Sequence, residues 1–430
     1  MVKGRSVPGN RWDLLDGLDP EEPPTVSVVV VHYRQQAELD RTLAALRRQT
    51  HPAGRTEIIV VDDGSPEPPR VSDGVRLLRQ ADHGFRLAAA RNLGAAAATG
   101  DVLCFLDADT VPEPEYLARM VRLPALAPEA VVVGRRRHAE LAGLPVDAPV
   151  ERAGPAAELP EPQWLRDAYR DSRDLLDADD RSYRCLIGAA LACSRWFFER
   201  VGGFDEDFRT YGGEDWEWAY RAWLGGAVIA HAADAVAWHD GPDWAGRDLE
   251  DPERRARKDA ETLLLTDRIP VAGSRGHGLR GARADIVIRL GAAPSPAAAY
   301  VCVDSLLAAL PEAVVHVPEE FADLFAADQR VTTKSSGSEP PARVVIDVPV
   351  AVRADRVADL LREAVSTVGA GTLGTVLLGP ARAPAVRIDS ARARARRAAW
   401  GKDLFETRVH AGPAPLGADT GLAGYLGGWA

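Results

Sequence analysis

The chain has 430 residues, 46% of them hydrophobic and 27% charged, which is enough for two or three domains with cores of their own. A formal charge of −11 excludes the broad cationic footprint of a general nucleic-acid binder, although a metal or local arginines can still hold a phosphorylated ligand. The four cysteines, Cys104, Cys185, Cys193 and Cys302, lie in apolar runs without C-x-x-C spacing, so reduced core thiols are expected, neither a disulfide framework nor a zinc site.

Residues 1–24 are polar, end in "DPEEPP", and read as a tail. Their basic start, "MVKGRSVPGNRW", has no apolar stretch behind it, so no signal peptide is expected. No apolar run approaches the length of a membrane span, and a cytoplasmic protein is the expectation. "VSVVVVHY" (26–33) is then a continuous β-branched run of the kind found in central parallel strands. "LDRTLAALRRQ" follows with Leu39, Leu43 and Leu46 on one helical face. "TEIIVVDDGSPEPP" is a second apolar strand, stopping at Asp62-Asp63-Gly64-Ser65, and "FRLAAARNLGAAAATG" reads as a helix closed by Gly100. "GDVLCFLDADT" supplies a third strand that ends by delivering Asp107 and Asp109. This strand–helix rhythm predicts right-handed crossovers and a parallel sheet, with ligands beyond the carboxyl ends of the strands, where both acidic clusters sit.

Asp107 and Asp109 share a face if the extended geometry persists past Leu106. Two such carboxylates repel and resist desolvation, and a divalent cation with oxygen ligands is the natural compensation; a solvated loop is the bland alternative. Residues 140–183 are rich in Pro, Ala and acidic side chains, include the amphipathic "QWLRDAYRDSRDLL", and read as an insertion or lid. Ordered structure returns with "CLIGAALACSRWFFERVGGFDEDF" and "YGGEDWEWAYRAWLGGAVIAHAADAVAWHD". A helix starting near Glu214 puts Trp216, Tyr220 and Trp223 on one stripe, for which core packing rather than a sugar platform is expected. Two short strands, near Val228 and Val236, are expected to close this unit at His239, with 241–283 as a linker region.

A dinucleotide-binding unit would need glycines after its first strand, and "HYRQQAEL" has none, which excludes the usual NAD site. "GHGLRG" (276–281) is similar to the glycine-rich loop of sugar nucleotidyltransferases but follows no expected strand and reads as linker. What remains is an ordered set: "VSVVVVHYRQQAELDRTLAAL", "IIVVDDGS", "ARNLGAAAATGDVLCFLDADT", "GGFDEDF" and "GGEDWEWAYRAW". Together these resemble the family 2 glycosyltransferases, over about residues 26–240. The resemblance implies a GT-A fold (Rossmann-like, with a mixed, mostly parallel sheet), a nucleoside-diphosphate (NDP) sugar donor and a divalent metal, Mn2+ or Mg2+.

By that resemblance Asp63 accepts a hydrogen bond from the base, while Asp62 is a neighbour that could simply cap its turn. Tyr33 leaves the first strand where a nucleobase would lie, with stacking or ordinary packing as its work. Arg91 of "ARNLG" is placed to reach the diphosphate or to make a salt bridge, and Arg86 is a weaker candidate of the same kind. Asp109 is implied as the direct metal ligand, with Asp107 nearer the ribose or a metal-bound water. His239 stands where a further ligand occurs in several GT-A enzymes, against the alternative of a structural histidine. Asp215 is implied as the general base of an inverting reaction, with Glu214 positioning the acceptor; favourable charge at a helix N-terminus is the other reading of this pair.

From about residue 284 the β/α rhythm restarts and can be laid over the first domain: "ADIVIRLG" on "VSVVVVHY", "VCVDSLLAAL" on "LDRTLAALRR", "EAVVHVPEEF" on "EIIVVDDGS", and "ARVVIDVPV" on "GDVLCFLDADTV". Residues 284–400 are therefore a smaller α/β domain, either a degenerate GT-A-like repeat or a small domain that alternates as any such domain would. Its chemistry is gone in either case, since only Asp347 survives and Pro349 replaces the second acid. A non-catalytic role in acceptor binding, homodimerisation or another protein contact is expected. Residues 401–430 form a Gly-rich tail in which Trp429 is a candidate to dock. The expected function is metal-dependent transfer of a sugar to a soluble acceptor (a natural product, peptide or oligosaccharide). A sugar nucleotidyltransferase and a non-enzymatic scaffold are the competing classes.

Overall fold

In the computed structural model, which describes residues 4–243, 251–333 and 342–427, the chain divides into two units. The first takes in residues up to 223 with 227–265, the second 224–226 with 266 onward. Trp429 and residues 244–250 of the expected linker lie outside the described residues.

Strand β1 (Val26–His32) is buried at all seven positions, as its β-branched run demands. It pairs in parallel with β2 (Thr56–Asp62) on one side and β4 (Val102–Asp107) on the other, and β3 (Val75–Arg79) continues the sheet beyond β2. Helix α1 (Gln36–Leu46) buries Leu39, Leu43 and Leu46. Helix α2 (Leu87–Ala97) lies so close to the sheet that a Cβ on Gly94 would stand 2.3 Å from a methyl of Val29. After β5 (Thr110–Pro112) and α3 (Tyr116–Leu126), β6 (Ala130–Ala139) enters the sheet. The insertion adds α4 (Val150–Ala156), the two-residue β7 (Glu158–Leu159) and α5 (Gln163–Asp171). β8 (Ala190–Ser194) then runs antiparallel between β4 and β6, and Ser194 caps α6 (Arg195–Val201). Helix α7 (Glu214–Leu224) follows the Gly212-Gly213 turn and buries Trp218, Tyr220 and Trp223, which confirms core packing for most of its aromatic stripe. Trp216 is only half-buried.

The two short strands expected near Val228 and Val236 are one long strand, β9 (Val228–Asp240), whose register against β6 shifts at Gly134/Arg135. That irregularity interrupts the alternation and imitates a break in the sequence pattern. The order of the first sheet is β3-β2-β1-β4-β8-β6-β9-β5, with β7 beside β6. The N-terminal residues are not a loose tail: Val7 and Leu15 are buried in the core. Residues 251–268 form helix α8, so the expected linker carries regular structure.

The second unit contains β10 (Ile286–Leu290), α9 (Pro296–Ala309), β11 (Val314–His316), β12 (Val331–Thr332), β13 (Val344–Val348), α10 (Ala358–Gly369), β14 (Thr375–Leu378), β15 (Val386–Ser390), α11 (Ala391–Trp400), β16 (Thr407–His410) and α12 (Leu422–Leu426). Its sheet runs β12-β11-β10-β13-β15-β14-β16. The first four strands are mutually parallel, β15 is antiparallel to both β13 and β14, and β16 is parallel to β14. This is the order and sense of β3-β2-β1-β4-β8-β6-β9, position for position. The four segments laid over the first domain in sequence each fall on the matching element, and the Gly-rich tail supplies the last strand.

Candidate active site

Parallel strands β1, β2 and β4 end side by side at His32, Asp62 and Asp107, and the cleft opens there, with a volume of about 530 Å3. Tyr33, Asp63, Asp107, Asp109 and His239 all line it. Asp62 is fully buried and accepts from Ser65 Oγ (2.6 Å), Ser65 N–H (3.1 Å) and Arg79 Nε (2.9 Å), with His32 Nδ1 at 3.0 Å. It ties the loop, as the capping alternative has it. Asp63 accepts from the backbone N–H of Arg86 at 2.9 Å and from the amide of Gln80. Burial pushes its carboxyl above the usual range despite these donors. The Arg86 guanidinium lies 3.5 Å from Glu206. Tyr33 is 39% exposed, with Arg34 4.9 Å over its ring, so a face remains for stacking.

Behind the cleft sits a buried charge cluster. Arg91 donates from Nη1 to Glu214 (2.7 Å) and from Nη2 to Asp107 (2.9 Å), with 2% of its side chain exposed. Its expected reach to a diphosphate is therefore corrected. The guanidinium is enclosed between two carboxylates and acts on the site by positioning them. Burial opposes its charge, but Asp107, Glu214 and Asp215 outweigh that and raise its pKa. Burial and the neighbouring Asp215 raise Glu214, whose second oxygen has no hydrogen-bond partner among the described residues. Asp215 is also raised by burial, against the N–H groups of Gly188 (3.0 Å) and Trp216 (2.8 Å) that its two oxygens accept. Plain helix capping does not account for this pair, because Glu214 is turned to Arg91 and Asp215 reaches back to Gly188.

For a metal, Asp109 and His239 converge: Oδ2 lies 3.6 Å from Nε2, and Gln35 donates to the same oxygen at 3.0 Å. Backbone pairing of Thr110 with His239 and of Asp240 with Asp109 fixes the approach. Asp107 does not join them, because its carboxylate is held by Arg91, and among the described residues no three acidic, His or Cys side chains form a ready cage. Asp107, with Oδ1 held by Arg91, flanks the Asp109–His239 pair. One carboxylate and one imidazole suit Mn2+ or Mg2+ bound jointly with substrate phosphates, since such ions retain several non-protein ligands. His138 packs 5.0 Å from His239, and burial with the nearby Arg136 pushes it down to about 4, so a neutral ring stands behind the site.

Sequence reasoning passed over several cleft residues, among them Gln35, which donates to Asp109. Phe85 and Tyr211, both exposed, pair across the opening with ring centroids 5.9 Å apart. Arg136 lines the cleft from β6. The aromatics sit singly in polar loops, and no local pattern announces them. Arg136 lies in "GRRRHA", a cationic run on an otherwise apolar strand, and that departure was a readable signal.

A mixed, mostly parallel sheet whose strand ends carry Asp63 and the Asp107/Asp109 pair, faced by an acidic helix, is the arrangement expected of a GT-A glycosyltransferase domain. Residues 27–147 match the family described as glycosyl transferase family 2, and 178–234 match a model described as the N-terminal domain of galactosyltransferase. Over residues 27–147 the first unit is thus similar to the family 2 glycosyltransferases. The chain is similar to validoxylamine A glucosyltransferase of Streptomyces hygroscopicus subsp. limoneus, with 35% identity over 219 residues, 46% of this chain and 48% of that protein. It is also similar to the chondroitin synthase of Escherichia coli, with 28% identity over 60% of this chain and 39% of that one. It thus spans about half the length, or less, of these curated relatives. Among solved structures, the mannosyltransferase PcManGT from Pyrobaculum calidifontis, in complex with GDP-Man and Mn2+, gives a TM-score of 0.40 at 22% identity, covering 57% of this chain and 65% of that one. Among the described residues no helix is long and apolar enough to cross a membrane.

Proposed function

We propose that the first unit transfers a sugar from an NDP-sugar to an acceptor hydroxyl with inversion, using Mn2+ or Mg2+ held by Asp109 and His239. The observation that carries this is one connected arrangement. Asp63 stands at one wall of the cleft and Asp109 with His239 at another, while Asp107–Arg91–Glu214 links the cleft to the helix mouth bearing Asp215. Asp63 and Tyr33 bind the base by hydrogen bonding and stacking. Asp109 and His239 hold the cation, which when bound offsets the charge on the departing diphosphate. The acceptor oxygen forms its bond to the anomeric carbon as the bond to the diphosphate oxygen breaks, and the hydroxyl proton passes to Asp215. Two backbone N–H donors orient that carboxylate, and its raised pKa brings it nearer the operating pH, as a general base requires. Four buried, unpaired cysteines support work in a reducing compartment.

The test is a thermal-shift screen of nucleoside diphosphates and NDP-sugars with Mn2+ or EDTA. One nucleotide should stabilise the protein only with metal, and Asp109→Ala should lose that stabilisation. Equal stabilisation in EDTA would contradict the reading.

A further inference from the structure

Within the first unit a second cavity, about 240 Å3, lies between α5 of the insertion and strands β6 and β9. It is smaller than the ~300–1,000 Å3 of sites for drug-sized ligands and has room for about one ring. Leu165 and Tyr169, both nearly fully buried, give it an apolar floor. His231 stacks on Tyr169 with centroids 3.6 Å apart and planes 4° from parallel. Nδ1 of His231 lies 2.8 Å from Asp174, an acceptor-only carboxylate, so Nδ1 carries the proton and Nε2 presents a lone pair. Nε2 is buried and has no hydrogen-bond partner among the described residues, while the residue is only 7% exposed. A buried acceptor without a donor is costly unless a ligand supplies one.

The turn that holds Asp174 against this imidazole is strained and clamped. Arg173, Asp174 and Leu175 all adopt positive φ (53°, 55° and 68°), a left-handed run that non-glycine residues avoid. Asn10 holds the turn to β9, donating to Leu175 O at 2.7 Å and Ile229 O at 2.9 Å while accepting from Ile229 N–H at 2.9 Å. The cavity also neighbours the reaction centre. Arg136 lines both it and the donor cleft, and Ile187 on its wall precedes Gly188, whose N–H holds Asp215.

We propose that this cavity is the acceptor subsite of the transferase and takes a neutral polyhydroxylated ring. The assignment rests on the transferase reading for its role and on the cavity for its chemistry. A neutral ligand fits better than an anion because three of the four arginines lining the cavity already face carboxylates: Arg135 lies 2.9 Å from Glu161, Arg136 3.7 Å from Asp243 and Arg170 2.7 Å from Asp167, which leaves Arg166 alone without an ion pair among the described residues. Burial lowers the His231 pKa, which keeps the ring an acceptor for hydroxyl donors near neutral pH. The apolar floor suits the C–H face of a sugar-like ring.

The test is saturation-transfer NMR with methyl β-D-glucopyranoside as the ring probe. Wild-type protein should transfer saturation to it equally in Mn2+ and in EDTA. Leu165→Trp, which fills the cavity, should abolish the signal. His231→Phe keeps the stack, loses Nε2, and should weaken binding about tenfold, the scale of one lost hydrogen bond. On a confirmed acceptor, His231→Phe should raise KM about tenfold while changing kcat little. Absence of the wild-type signal, a signal indifferent to both variants, or displacement of the probe by sulfate would overturn the proposal. Probe binding as described, with no metal-dependent nucleotide binding, would instead overturn the transferase reading and leave the ring site standing.

Discussion

Removing the charge of Arg91 tests the buried cluster most sharply. Arg91→Met keeps much of the volume but leaves Glu214 and Asp107 without their shared cation. Breaking a buried pair by deleting one partner costs about 3–5 kcal/mol, and Arg91 and Glu214 expose only 2% and 4% of their side chains. At about 2–4 °C per kcal/mol for a unit of this size, the melting point should fall by roughly 6–20 °C. The loss should depend on pH with a definite sign. Burial and Asp215 already raise Glu214, and without Arg91 it rises further. A carboxylate whose folded pKa exceeds its unfolded value destabilises the fold above the unfolded pKa, near 4, and increasingly toward neutrality; below that pH the penalty vanishes. Urea unfolding at pH 5 and pH 8 should therefore show the larger deficit at pH 8. A deficit under about 1 kcal/mol at pH 8, or the same deficit at both pH values, would refute the buried-cluster reasoning.

Because Asp215 must be ionised to accept a proton and its pKa is raised, the acid limb of kcat/KM should lie above the ordinary carboxylate value of about 4; a limb at 4 would assign the base elsewhere. Asp109→Ala should abolish metal-dependent nucleotide binding by calorimetry while leaving the melting point close to wild type, since the change relieves repulsion beside Asp107. Asp347→Ala in the second unit should leave transfer unchanged, and a large fall in rate at unchanged stability would reveal a second active site.

Strands β1, β2 and β4 were legible because each is an apolar run buried on both faces, and the acids at their ends mark the cleft. β3, "VRLLR", went unread, since an edge strand with exposed arginines lacks that signature. The N-terminal segment read as a tail because Val7, Asn10 and Leu15 are isolated among polar residues, yet each meets a partner far along the chain. Asp107, Asp109, Glu214 and Asp215 were legible as acids and the resemblance implied a role for each, but the ion pairs that hold them were not legible. Only the fold reveals that Arg91 claims Asp107 and leaves Asp109 to His239, across contacts of 16 and more residues. His231 and Asp174, 57 residues apart, carry no local motif at all. For the second unit, the alternation was visible in sequence, but the strand order that decides between a repeat and a generic α/β domain depends on long-range pairing.

The most direct test of the account is single-turnover transfer by Asp215→Asn on a confirmed acceptor, with NDP affinity measured alongside in the presence of Mn2+. The amide is nearly isosteric and still hydrogen-bonds, but it cannot take the acceptor proton. The rate of the chemical step should fall by ~10²–10⁴ while nucleotide affinity stays near wild type. A wild-type rate in that variant would contradict Asp215 as the base and the mechanism built on it.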